Sequence, residues 1–143
     1  MLVSPTINSV HGRIFLHAAP NPAAGAEAVI TVPARRRWRI HSIRFALVTD
    51  ATAVARDLGL IFSDGSNEIF RLYQDQSQIQ SLTRYYQFFI LPFAPFTVST
   101  QIYVWLPPLI LPAASTITTT TTNIQAGDDY GTPQVLVEEW IDP

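Results

Sequence analysis

"RRRWRIHSIRFALVT", residues 35–49, decides how this chain is read. Apolar and polar residues alternate along it, the period of a strand with one covered face. The alternation changes phase, however: Trp38 and Ile40 share one parity, whereas Ile43, Phe45 and Leu47 share the other. A one-residue slip turns every later side chain to the opposite face, so one strand can keep both sets inside only by inserting an extra residue. The stretch predicts a long strand with a β-bulge near His41 and Ser42.

Working outward, the same kind of segment recurs: "EAVITVP" (27–33), "RDLGLIF" (56–62), "IFRLY" (69–73), "SLTRYYQFFI" (81–90), "VSTQIYVWL" (98–106) and "PQVLVEEWI" (133–141). Each is short and rich in β-branched or aromatic residues, the signature of strands. Eleven prolines lie between Pro5 and Pro143, and each removes a donor that a helix interior needs. "DGSNE" (64–68) reads as a hairpin turn, because Gly65 and Asn67 tolerate positive φ. "PPLILP" (107–112) reads as a loop or edge excursion, since paired prolines cannot serve a central ladder. The threonines at 116 and 118–122 contain no proline among them, unlike a mucin-like stalk, and threonine favours strands. That run is read as a further strand.

The fold expected is all-β, an antiparallel sandwich of eight or nine strands with a jelly roll preferred and an immunoglobulin-like topology left open. Residues 1–26 read as an extended N-terminal arm in which Val10 to Leu16 form a short strand, and 27–143 as the sandwich domain. The core is expected to contain Trp38, Ile40, Phe45, Leu47, Leu58, Leu60, Phe62, Leu82, Tyr86, Phe88, Ile102, Val104, Leu106, Ile117 and Leu136. Strand 98–106 is apolar on both faces, which fits cover on two sides or contact with a partner.

Composition narrows the function. The chain has 143 residues, and charged residues make up 14% of it against roughly 25% in an average soluble domain. That shortage points to surface buried against other chains. A net charge of −2 gives no basic excess of the kind that marks nucleic-acid binding. Without cysteine there is no disulfide or thiolate chemistry. "MLVSPTINSVHGRIF" lacks the basic start and apolar core of a signal peptide. No apolar run reaches the length of a membrane helix.

Candidate chemistry is sparse. His11, His17 and His41 have no metal-ligand spacing, so zinc is not expected. "DGSNE" is too short for a calcium loop, and an exposed turn accounts for Asp128 and Asp129. Glu138 and Glu139 are adjacent in a strand, point to opposite faces and cannot converge on one glycosidic bond. No enzyme activity, cofactor or metal is expected. What remains is surface: a basic stripe of Arg35, Arg37 and Arg39 opposite Trp38, and the rings of Tyr85, Phe89, Tyr103 and Trp105. These are the candidate protein-interface residues.

The string "VPARRRWRIHSIRFALVTDATAVARDLGLIFSDGSNEIFR", continuing to "LPPLILPAASTITTTTTNIQAGDDYG", resembles a group of small tailed-bacteriophage virion proteins. In that group a proline-bounded turn enters a basic, tryptophan-containing strand, and a proline-leucine loop enters a threonine-rich strand ending in an aspartate turn. Val32, Pro33, Trp38, Leu47, Thr49, Leu60, Pro107, Leu111, Pro112, Ile117, Thr118, Gly127 and Asp128 stand where such chains put them. The resemblance implies a capsid cement or decoration protein, made in the host cytoplasm and resident on the virion. Its expected partners are itself, as a trimer, and the major capsid protein or other virion proteins, with no membrane and no nucleic acid. A neck or tail-fibre role has the same look. A carbohydrate-binding module is the alternative of another class, with Tyr85, Tyr103, Trp105 or Trp140 stacking on glycan.

Overall fold

The computed structural model describes residues 12–90 and 94–141. It is an all-β, sandwich-like structure of two sheets, with no helix among the described residues. The first sheet is built around β3 (Arg36–Val48). One side of β3 pairs with β12 (Gln134–Ile141), which in turn pairs with β1 (Arg13–Ala18). The other side pairs with β6 (Thr83–Phe89), followed outward by β8 (Gln101–Trp105) and β7 (Phe96–Val98). Short β9 (Ile110–Leu111) and β11 (Asp129–Tyr130) also pair with β3. The second sheet has the order β2 (Val29–Thr31), β10 (Thr116–Thr121), β4 (Leu58–Ser63), β5 (Glu68–Tyr73).

The predicted bulge is present. Leu136 lies opposite Ser42 but Val137 lies opposite Ile40, so His41 is the extra residue of β3. The insertion reconciles the two parities: Trp38, Ile40, Ile43, Phe45 and Leu47 are all buried in one core. That core also takes in Leu58, Leu60, Phe62, Tyr86, Phe88, Ile102, Val104, Leu106 and Ile117, as expected.

Several expectations need correction. The described residues form twelve strands, because β2, β7, β9 and β11 have only two or three residues each. One pair is parallel: β7 folds back on β8 as a hairpin, leaving β8 to run alongside β6 in the same direction. The short strand expected within the N-terminal arm is β1, which runs on to Ala18 as an edge strand in register with β12, and Ala19 is buried in the core. The expected strand start at Val10 lies outside the described residues. Leu136 faces outward, and its neighbours Val135 and Val137 take the core positions. Leu82 precedes β6 and is only half-buried.

The turns follow their residue chemistry. Asp64 accepts the backbone N–H groups of Ser66 and Asn67 at 2.8 and 2.7 Å, and Gly65 supplies the positive φ of 97°. "PPLILP" is the predicted edge excursion: Ile110 and Leu111 pair with β3, and the Leu109 carbonyl accepts the Ile40 N–H at 3.3 Å.

The threonine run is β10, in the middle of the second sheet. Ile117, Thr119 and Thr121 turn inward and Thr116, Thr118 and Thr120 outward. The inward hydroxyls do not break the core, because Glu27 receives them: its carboxylate accepts the Thr119 and Thr121 hydroxyls at 2.5 and 3.0 Å. Glu27 also accepts the Thr121 N–H at 2.6 Å, which extends the ladder where β2 has ended. The buried Tyr130 hydroxyl bonds to Thr121, and burial pushes its pKa above the ordinary tyrosine range.

Candidate functional site

The alternation of β6 and β8 builds the most distinctive surface. Tyr86, Phe88, Ile102 and Val104 point into the core, so the odd-numbered residues point out. Parallel register then sets Tyr85 beside Gln101, Gln87 beside Tyr103, and Phe89 beside Trp105. Strand β7 adds Phe96 beside Tyr103 and Val98 beside Gln101. The four candidate rings thus share one outer face.

These rings are ordered by contact with one another. Phe96 stacks on Tyr103 at 4.5 Å between centroids and 11° between planes, and Phe89 meets Tyr103 edge-on at 5.9 Å. Gln87 donates to Gln101 at 2.8 Å. Exposure is 44% for Phe96, 57% for Val98, 42% for Trp105 and 37% for Tyr85. None of these eight positions is charged. Phe96 escaped the sequence reading, because Pro92 and Pro95 marked its segment as a break rather than a strand, and Val98 was read as the start of strand 98–106 and not as part of a separate β7.

The arginine stripe is shorter than expected. Arg35 precedes β3 in a turn with φ 59°, so only Arg37 and Arg39 share the strand face. Arg39 donates to Glu138 at 3.1 Å and lies over the Trp140 ring at 5.2 Å, which occupies a face that a glycan would need. Glu138 is buried and also accepts the Gly12 N–H at 2.8 Å, while His41 Nε2 lies 3.7 Å from it. Glu139 faces the other way and accepts the Trp38 indole N–H at 2.8 Å. The two glutamates diverge as their adjacency requires.

Of the remaining polar candidates, His17 and Asp128 have structural partners. His17 packs against Trp38 at 4.8 Å, and His11 lies outside the described residues. Asp128 is buried and held by Arg56, while Asp129 is exposed on β11. Among the described residues no three His, Cys, Asp or Glu side chains form a group that could hold a metal ion. No helix among them is long and apolar enough to cross a membrane.

No protein-family model matches the sequence, and no curated protein does. Among solved structures, the crystal structure of dimeric latent PorU from Porphyromonas gingivalis matches 92% of this chain at 8% identity, with a TM-score of 0.41. This chain spans 13% of the length of that chain.

Proposed function

We propose that the protein is a structural component of a bacteriophage particle, a cement or decoration protein that acts by binding other subunits through the face of β6, β8 and β7. The observation that carries the binding role is the uncharged patch of Phe96, Val98, Trp105 and Tyr85 on one sheet face. Contiguous exposed rings of this kind mark contact surfaces, and aromatic side chains are enriched at their centres. Tyr103 is a poor glycan platform because Phe96 already covers it.

The virion setting rests on the sequence resemblance, and the strand order supports the same reading. Strands β1, β12, β3 and β6 form one layer and β2, β10, β4 and β5 the other. With β7, β8, β9 and β11 set aside, this interleaving favours the jelly-roll reading, an architecture used by viral capsid and lectin domains. A trimer is the preferred assembly, each contact covering Trp105 and Phe96 of one subunit. A stable contact of this type buries on the order of 1,200 Å² or more.

Light scattering tests the reading directly. The wild type should run as a multiple of the 15.9 kDa chain, or bind purified capsids, necks or tails of its phage. A chain that stays monomeric at high concentration and binds none of these particles removes the proposal.

A further inference from the structure

Beyond that contact surface, a second feature of the same sheet has the chemistry of a ligand site. Ala46 on β3 is a small residue between large neighbours, and a cleft of about 250 Å³ opens around it. Tyr85 stands opposite Ala46 on β6, and Arg44 lies two residues away on the same strand. Thr132 and Gln134 form the opposing wall, with Gly131 bonded to the Ala46 carbonyl at 3.0 Å.

Arg44 is the unusual member. Its cross-strand neighbours are Gln134 on one side and Gln87 on the other, and its guanidinium has no hydrogen-bond or ion-pair partner among the described residues. Among the described residues no acidic side chain lines the cleft. Arg37 and Arg39 belong to other contacts, and the buried Arg56 spends its guanidinium on two aspartates. An exposed guanidinium without a partner, flanked by neutral glutamines, is available to one bidentate anion, and a carboxylate matches its planar fork.

The rest of the wall narrows the ligand. Tyr85 offers a partly exposed ring to an apolar face, while Thr132 and Gln134 offer neutral donors and acceptors suited to hydroxyls. The volume lies just under the roughly 300 Å³ at which pockets for drug-sized ligands begin, which suits one sugar ring. We propose that this cleft binds a carboxylate-bearing sugar, with the carboxylate on Arg44, the ring against Tyr85 and the hydroxyls toward Thr132 and Gln134. The cleft shares Tyr85 with the aromatic patch but has Arg44, Thr132 and Gln134 to itself, so Arg44→Gln tests saccharide binding without touching Trp105 or Phe96.

Titration calorimetry of the full chain with a glucuronate-containing disaccharide, its neutral glucose counterpart, and acetate tests this. The acidic disaccharide should bind saturably and roughly tenfold or more tighter than the neutral one, as a charge-assisted pair implies. Arg44→Gln should abolish that preference, and Ala46→Val should weaken both sugars by filling the floor. Ile69→Glu, an exposed position on β5 of the other sheet, should leave the affinity unchanged. Urea denaturation of each variant reports folding, and the wild-type comparison stands without any variant. Absence of saturable binding to the acidic disaccharide, equal affinity for the two sugars, or acetate binding as tightly as the acidic disaccharide would each overturn the proposal.

Discussion

Arg56 and Asp128 form a two-pronged ion pair sealed inside the protein: Nε and Nη2 of the arginine reach the two carboxylate oxygens at 2.9 and 2.8 Å, and neither side chain is exposed. Every other guanidinium N–H also has an acceptor. Nη1 donates to the carbonyls of Thr52 and Val54, and Nη2 also donates to Asp50 at 2.6 Å. Asp128 in turn accepts the N–H groups of Asp50 and Gln125. Arg56 backbone atoms pair with Gln78, whose side chain reaches the Leu47 and Leu82 carbonyls and the Tyr86 hydroxyl. One buried cation thus ties together the loops that follow β3, β5 and β10.

Breaking that pair from one side should be costly. Asp128→Asn keeps the shape but leaves a buried guanidinium short of a charge partner. Loss of one member of a buried pair costs on the order of 3–5 kcal/mol. Urea unfolding of the variant should show a fall in midpoint of that size, and a change below about 1 kcal/mol on that scale would show that the pair is replaceable.

The same carboxylate makes stability depend on acid. Burial pushes the Asp128 pKa upward, but the hydrogen bonds from Arg56, Asp50 and Gln125 outweigh it and hold the group below the ordinary aspartate value. Asp50 is also lowered, chiefly by the Thr52 N–H. A carboxyl with a lower pKa folded than unfolded stabilises the protein above its unfolded value, about 3.9 for Asp. That stabilisation is lost as pH falls through the folded value. Wild-type stability should therefore drop steeply below about pH 4, and Asp128→Asn should flatten this dependence. A parallel decline in both proteins would refute the assignment.

The core makes a paired prediction. Leu60 is buried on β4 and Leu136 faces outward on β12. Leu60→Ala should cost roughly 2–5 kcal/mol through lost transfer energy and a cavity, whereas Leu136→Ala should cost well under half of that. Equal losses in chemical denaturation would mean that the facing of β12 is wrong.

Leu136 also shows where sequence reading stops. The phase change in residues 35–49 exposed the bulge, because both apolar sets had to enter one core. In "QVLVEEWI" apolar residues stand on both parities, so period alone could not choose between Leu136 and the flanking valines. Pairing chose, through the register that sets Val137 against Ile40. Arg56 was illegible for a related reason: its partners stand 6 and 72 residues away, and only the folded loops bring them together. The aromatic face was half visible. Tyr85 and Phe89, and Tyr103 and Trp105, each read as strand faces, but their union depends on a parallel pairing that no local signal announces.

Gly12 tests the start of the described chain. A Cβ there would lie 2.6 Å from the Glu139 carbonyl oxygen and 2.9 Å from Glu138 Cγ, so the chain can cross β12 at this point only with glycine. Gly12→Ala should detach the Gly12 N–H from Glu138 and loosen the neighbouring end of β1. Amide exchange should be slow for residues 14–18 in the wild type and faster near Arg13 and Ile14 in the variant. Fast exchange throughout β1 in the wild type would show that these residues do not hold their pairing with β12 in solution.

The subunit contact can be separated from folding by placing charge on its surface. Trp105 points away from the core with 42% of its surface exposed, so Trp105→Glu removes little internal packing and should leave the unfolding midpoint nearly unchanged. In an assembly that buries the ring, the same change places an unpaired carboxylate in an apolar contact. Burying a charge without a partner is strongly unfavourable, and an isolated group relieves the cost by not assembling. Phe96→Glu should act the same way, because Phe96 lies against Tyr103 in the same patch. Ile69→Glu, an exposed position on β5 in the other sheet, supplies the control and should assemble normally. Sedimentation velocity should show the first two variants shifted to smaller species at concentrations where wild type and control are assembled. If all three assemble like wild type, the contact lies elsewhere on the surface. If Ile69→Glu alone dissociates, it lies on the second sheet.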